Sequence, residues 1–178
     1  MLGLPHNKNF LVAYSDEWPR QFAAEKQALA SAFGQLPHVI EHIGSTSVPG
    51  MRAKPILDLM VGIPLLDDFT RYQPALEKLG YDFAPHAGVP GHHIFGRGRN
   101  STERTHILHL VEINSAHWHA PLAFRNTLRS DPLLRAKYVE MKELSAQQAP
   151  DSRARYNELK ARFFDELKNR PPTPPESP

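Results

Sequence analysis

The sequence predicts an α+β fold, a sheet half followed by a helical half, and three observations predict it. Residues 39–43, 56–63 and 106–113 are runs of aliphatic and β-branched residues with the length of core strands. Segments of helical spacing alternate with the first two of these runs. After Asn114 only helical segments remain, each punctuated by proline or a capping residue.

Taken in order, residues 10–14 (FLVAY) predict a short edge strand. Ser15 or Asp16 then caps a helix with Pro19 in its first turn, and Phe22, Leu29 and Phe33 lie near one face of it. Gly34 and Pro37 close that helix ahead of the first core strand, 39–43, and the second core strand, 56–63. Leu66-Asp67-Asp68 begins a helix with Phe69, Tyr72, Leu76 and Leu79 on one stripe, and Pro74 predicts a kink or a late start. Gly80 ends it. Residues 81–83 and 92–95 predict two shorter strands around a turn-rich loop at 85–91, and the basic, glycine-rich stretch 96–104 predicts a mobile loop. The third core strand spans 106–113. Three helices follow, at 121–130, from the Asp131-Pro132 cap pair to about 148, and from the Pro150-Asp151-Ser152 cap to about 169. A single domain over 1–170 is expected, with a sheet half at 10–115 and a helical half at 116–170. The proline-rich tail 171–178 is expected to be disordered or extended.

A chain of 178 residues holds one domain with a proper core. Its 21 Lys+Arg against 19 Asp+Glu give a net charge of +2, so no basic field argues for nucleic acid. With no cysteine, disulfides and thiolate chemistry are excluded. No apolar run reaches the roughly 20 residues of a membrane span, and the N-terminus lacks an apolar leader segment. A cytoplasmic protein with no membrane partner is expected; the pattern gives no oligomeric state.

The chemistry is expected in residues 41–63, EHIGSTSVPGMRAKPILDLMVGI. A carboxylate inside the run Ile-Leu-Asp58-Leu-Met-Val costs several kcal/mol to bury unpaired, so a cation or a metal ion should compensate it. The turn Gly44-Ser45-Thr46-Ser47 just upstream lets amides and hydroxyls converge on an anion. Read plainly, the same residues are an ordinary loop and a structural acid paired with Lys54 or an arginine.

Alternation in HILHLVEI puts Ile107, His109, Val111 and Ile113 on one strand face and His106, Leu108, Leu110 and Glu112 on the other. His109 reads either as a core histidine or as a site residue, and either it or Glu112 can join Asp58 across a sheet. In the helical half, Arg125/Arg129, Tyr138/Lys142 and Tyr156/Lys160 are each four apart and so share a helix face. Convergent on Asp58, those cations would form a wall suited to a polyphosphate; separately they are solvated helix surface. Arg97 and Arg99 read as a lid or as a soluble loop. His86, His92, His93, His106, His117 and His119 have no compact zinc spacing.

The 41–63 stretch closely resembles the signature of the GrpB-like proteins, a branch of the nucleotidyltransferase fold. Asp16-Glu17-Trp18-Pro19, FRNTLRSDP, and the Tyr138/Lys142 and Tyr156/Lys160 segments resemble that family's other signatures, so the match runs from about residue 10 to 168. The resemblance implies a small mixed sheet with flanking helices and a C-terminal helical subdomain. It implies a nucleotide-phosphate site at Gly44, Ser45 and Thr46, with Lys54, Arg125, Arg129, Lys142 and Lys160 as its cations. It further implies Mg²⁺ on Asp58, with His109 or Glu112 completing the site as a catalytic group and Glu112 as a second metal ligand. The wider fold carries an Asp-x-Asp pair; here the second acid is Met60. Asn126 and Ile107 also depart from the family, standing where Asp and His are usual. The function so implied is a Mg²⁺-dependent transfer of a nucleotidyl or pyrophosphoryl group from a nucleoside triphosphate to an unknown acceptor, small molecule or macromolecule. The alternative is a nucleotide-binding or accessory module without chemistry, in keeping with the family's fusion to dephospho-coenzyme A kinase in some bacteria.

Overall fold

The computed structural model describes residues 1–85, 90–100 and 102–168. The expected tail at 171–178 and most of the turn-rich loop at 85–91 lie outside them. Its centre is a five-stranded sheet of β2 (Val39–Ile43), β3 (Leu57–Ile63), β7 (His106–Glu112), β5 (His92–Arg97) and β4 (Asp82–Phe83), adjacent in that order. β3 and β7 run parallel and the other pairs antiparallel, which makes the sheet mixed. A two-stranded ribbon of β1 (Leu4–Pro5) and β6 (Glu103–Arg104) lies apart from it.

One face of the sheet is the main core. Leu57, Leu59, Val61 and Ile63 of β3 alternate inward with Leu108 and Leu110 of β7, as the period of a strand requires. They pack against Trp18, Leu29 and Phe33 of α1 (Glu17–Phe33) and Tyr72 and Leu76 of α2 (Phe69–Lys78). Each such buried side chain contributes about 1.5–3 kcal/mol, so this face fixes the register of both strands.

The opposite face carries Asp58, Met60, Ile107, His109 and Val111, and α3 (Ala116–Ser130), α4 (Pro132–Gln148) and α5 (Arg153–Lys168) belong to this side. Trp118 of α3 packs on Met60, Ile43 and Val111. It lies so close to the sheet that a Cβ on Gly62 would stand 2.7 Å from its ring. The segment after β2 is gripped by the same helices: Val48 and Met51 pack with Leu128 and Tyr138.

Three local expectations are corrected. Residues 10–14 form no strand; a single bridge, Val12 to Ala53, is what remains of it. The helix expected to start at Pro121 begins at Ala116, because the Ser115 hydroxyl accepts the Trp118 N–H and Pro121 falls early enough to forfeit only one bond. The stretch 96–104 is not a loop throughout, since β5 continues through Arg97 and Glu103–Arg104 form β6. The Arg97 guanidinium turns under the sheet to the Glu25 carboxylate of α1, which also accepts the Tyr81 hydroxyl at 2.8 Å. His106 lies against the same arginine at 3.1 Å. Burial, with Arg97 beside it, holds the His106 imidazole down at about 4, so it is neutral at pH 7. No helix among the described residues is long and apolar enough to cross a membrane.

Candidate functional site

β2 ends at Ile43, and the chain reverses through Gly44 into a 3-10 turn, Ser45–Ser47. Gly44 has φ +67°, and a Cβ there would lie 2.3 Å from the Asp58 carboxylate. Both facts demand glycine: one for backbone strain, the other because the turn is laid directly on that acid. The turn is fastened from outside. Ser47 Oγ donates to the Gly44 carbonyl at 2.6 Å, and Thr46 Oγ1 meets His42 Nε2 at 3.0 Å. The His42 ring stacks on Phe22 at 4.6 Å and is held down at about 4, first by burial and then by Arg129 and Arg125. Arg125 donates to the His42 carbonyl at 2.8 Å and to Glu41 at 2.7 Å, and Arg129 to the Ser47 carbonyl at 2.7 Å. Lys142 of α4 donates to Ser45 Oγ at 3.0 Å and to the Arg52 carbonyl at 2.8 Å. The first N–H groups of such a turn have no partner within it.

Two cavities of about 630 and 230 Å³ meet at this turn, both lined by Ser45, Asp58, His109 and Lys160. The larger is cationic: Lys54, Lys142, Arg104 and Arg153 stand on its walls with Tyr156 and Asn157. The smaller is mixed, with Ile43, Phe124, Leu128 and Phe164 beside Arg125 and Tyr138. Among the described residues no side chain donates a hydrogen bond to the Asp58 carboxylate, although Lys160, Arg153, Lys54 and Lys142 all act on it. Burial raises its pKa and those four cations pull the other way.

The cations are shaped by the same crowding. Lys54 sits 3.3 Å from the centre of the Tyr156 ring and donates to Asn9 Oδ1 at 2.6 Å. Desolvation, then the charges of Arg153 and Lys160, push it down to about 7. Lys142, 4.9 Å from the Tyr138 ring, is likewise pushed to about 7 by burial and Lys160. Lys160 instead is raised, first by the Tyr138 oxygen, against its own desolvation. Four cations thus face one carboxylate, an unbalanced charge that an anion would relieve.

The register decides which expected residues arrive here. Asp58 pairs with Ile107 on β7, so His109 shares its face and Glu112 does not. Glu112 is corrected: it stands exposed at the end of β7 and accepts the Leu66 N–H at 3.3 Å, on the far face from Asp58. Gly44, Ser45, Lys54, Lys142 and Lys160 reach a cavity wall. Thr46 reaches it with its hydroxyl already taken by His42. Arg125 lines the smaller cavity while committed to the loop, and Arg129 clamps the turn from behind without lining either cavity. Arg104, Arg153 and Asn157 were not expected as site residues. They come from the β6 ribbon and from the first turns of α5.

The donor set can be tested for Mg²⁺. Such an ion takes one or two carboxylates and completes its octahedron with phosphate oxygens and water. Asp58 supplies one carboxylate and Ser45 a hydroxyl beside it. Met60, two residues on along the same face, is wholly buried, and no group of three His, Asp or Glu able to hold a metal exists among the described residues. The residues fit one ion brought in with its phosphate ligands, and they do not fit a protein-held pair.

Residues 9–170 match the family described as GrpB protein. The glutamate-rich protein GrpB of Alkalihalophilus pseudofirmus is 32% identical over 172 residues, 95% of this chain and 99% of that protein. YqkA of Bacillus subtilis is 33% identical over 152 residues, and the chain spans only 44% of its length. The crystal structure of GrpB from Enterococcus faecalis superposes with a TM-score of 0.74 at 30% identity, covering 89% of this chain and 99% of that one. The Cid1 poly(U) polymerase with Mg and 3'-dATP bound gives a TM-score of 0.56 at 14% identity, over 83% of this chain and 49% of that one. The fold is therefore nucleotidyltransferase-like.

Proposed function

The chain belongs to the GrpB family, and from that premise we propose that it binds a nucleoside triphosphate with one Mg²⁺ in the larger cavity and transfers a nucleotidyl or pyrophosphoryl group to an acceptor. One observation carries the reading: the Asp58 carboxylate lies under the Gly44–Ser45 turn with no side-chain hydrogen-bond donor among the described residues, and Lys54, Lys142, Arg153 and Lys160 act on it.

The roles follow from the geometry. Ser45 Oγ already accepts from Lys142, so its own O–H is left to donate to a phosphate oxygen. Lys142 and Lys160 stand as point charges and Arg104 and Arg153 as planar forks, which together offset charge that builds on the phosphates in the transition state. Asp58 would hold the ion, and the ion, when bound, would screen the triphosphate and polarise the phosphorus under attack. The acceptor enters by the smaller cavity, which opens on Asp58 and His109.

Calorimetric titration with ATP and Mg²⁺ tests this. Wild-type protein is expected to bind more tightly with the metal than without it. Asp58→Asn is expected to abolish that difference, and unchanged affinity in the variant rules the metal role out. Met60 in place of a second acid favours a second reading, a module that binds the nucleotide and performs no transfer. Incubation with labelled triphosphates and a metabolite pool separates the two: nucleotidyl transfer releases pyrophosphate, pyrophosphoryl transfer releases the nucleoside monophosphate, and a pure binder releases neither.

A further inference from the structure

The cavity floor is joined to the protein surface by three imidazoles. His109 of β7 lines both cavities, and its Nδ1 lies 3.3 Å from Nδ1 of His92 on β5, its diagonal neighbour across the sheet. His92 Nε2 in turn lies 3.2 Å from Nδ1 of His117, exposed on the first turn of α3. We propose that His109, His92 and His117 form a proton path between the reaction cavity and solvent. The inference rests on the transfer reading, which requires a proton to leave the attacking hydroxyl as its oxygen bonds to phosphorus.

Hydrogen-bond logic leaves the file two states. A neutral imidazole has one N–H and one lone pair, and each of the two contacts needs one of each. In the first state His109 carries its proton on Nδ1 and donates to His92, which donates from Nε2 to His117. His109 Nε2 then presents a lone pair to the cavity. In the second state every ring holds the opposite tautomer. A proton taken from the acceptor hydroxyl by His109 Nε2 sends the Nδ1 proton to His92 Nδ1 and the His92 Nε2 proton to His117 Nδ1. The His117 Nε2 proton leaves to water. One proton enters, one leaves, and the first state has become the second. The reverse passage resets the file and returns a proton to the cavity.

The surroundings keep the rings neutral between passages. Burial holds both His109 and His92 down at about 4. Lys160, across the cavity on α5, opposes a charge on His109, and His109 and His117 oppose one on His92. Asp58, on the neighbouring strand and the same face, is the one acid among the described residues that line the cavity. The nitrogens do not converge as metal ligands would, since His92 turns a different nitrogen to each neighbour.

Nitrogen-15 NMR of the ring nitrogens in the whole chain tests the path without any ligand. At pH 7 the His109 and His92 rings are expected neutral and in one of the two concerted tautomer sets. In His117→Ala, a change at an exposed position, exchange of the His109 ring proton with water is expected to slow about tenfold. His92→Phe, which keeps ring volume, is expected to slow it as much. Mixed tautomers, a charged His109 or His92 ring at pH 7, or unchanged exchange in both variants overturns the path. So does one equivalent of Zn²⁺ shifting all three rings together, which makes the cluster a metal site. Failure of ATP–Mg²⁺ binding in the calorimeter overturns the transfer reading alone, so the two failures are told apart.

Discussion

The two faces of the central sheet carry the same chemical kinds and treat them oppositely. Beneath it, Glu25 is met by Arg97 and by the Tyr81 hydroxyl, with His106 against the arginine. Above it, Asp58 faces four cations and receives no direct bond among the described residues, and His109 keeps one nitrogen for the cavity. A buried charge that finds its partners inside the protein is consumed by the fold. A charge held near several cations, with a cavity between them, is kept for a guest.

The comparison is broken or sharpened by substitution on each side. The largest stability effect is expected below: Glu25→Ala leaves the mostly buried Arg97 without its counter-ion and should cost about 3 kcal/mol, lowering the thermal midpoint by roughly 10 °C. Triphosphate affinity, measured on the folded fraction, should not change. Above, the pattern inverts. Asp58→Asn should remove about 100-fold of Mg²⁺-dependent affinity while the midpoint holds or rises slightly. The sign follows from linkage: the Asp58 pKa is raised in the folded state, so ionising it costs stability as pH climbs through that window, and asparagine removes the cost. A midpoint drop in Asp58→Asn as large as that of Glu25→Ala would erase the distinction between the faces.

A smaller effect is expected at Lys142→Met, about tenfold in affinity with a shallower salt dependence, read by titration at two ionic strengths. The smallest is a proton count. Lys54 and Lys142 are pushed down to about 7 in the empty cavity, so the folded state binds fewer protons than the unfolded chain between pH 7 and their ordinary value near 10.5. On that account the empty protein gains stability as pH rises through the window. A bound polyanion recharges both lysines. Titration at pH 8 in buffers of different ionisation heat should therefore show net proton uptake, and affinity should fall as pH rises from 7.

Much of the fold could be read from residue order because each signal was local. The aliphatic runs located β2, β3 and β7 to within a residue, and Asp131-Pro132 placed the start of α4. Asp58 and the Gly44–Ser45 turn stood out because a carboxylate in an apolar strand is costly anywhere. What pattern alone left open was relational. Whether His109 or Glu112 joins Asp58 is decided by the parallel pairing of Asp58 with Ile107, a contact between strands 49 positions apart. Arg104 and Arg153 reach the cavity by the pairing of a two-residue ribbon and by the rotation of a helix, and neither leaves a mark in composition. Arg129 had the right spacing and lies behind the turn, because its helix face is spent on the Ser47 carbonyl.

Gly62 sits well away from the chemistry, yet its missing side chain sets the height at which Trp118, and with it α3, rides on the sheet. About two turns further along that helix, Arg125 reaches down to the His42 carbonyl. A single methyl at position 62 would act as a shim under a lever, lifting the far end and slackening the hold on the Gly44–Ser45 turn. Directed evolution toward a looser or larger cleft could therefore begin there, leaving every ligand-facing side chain as it is.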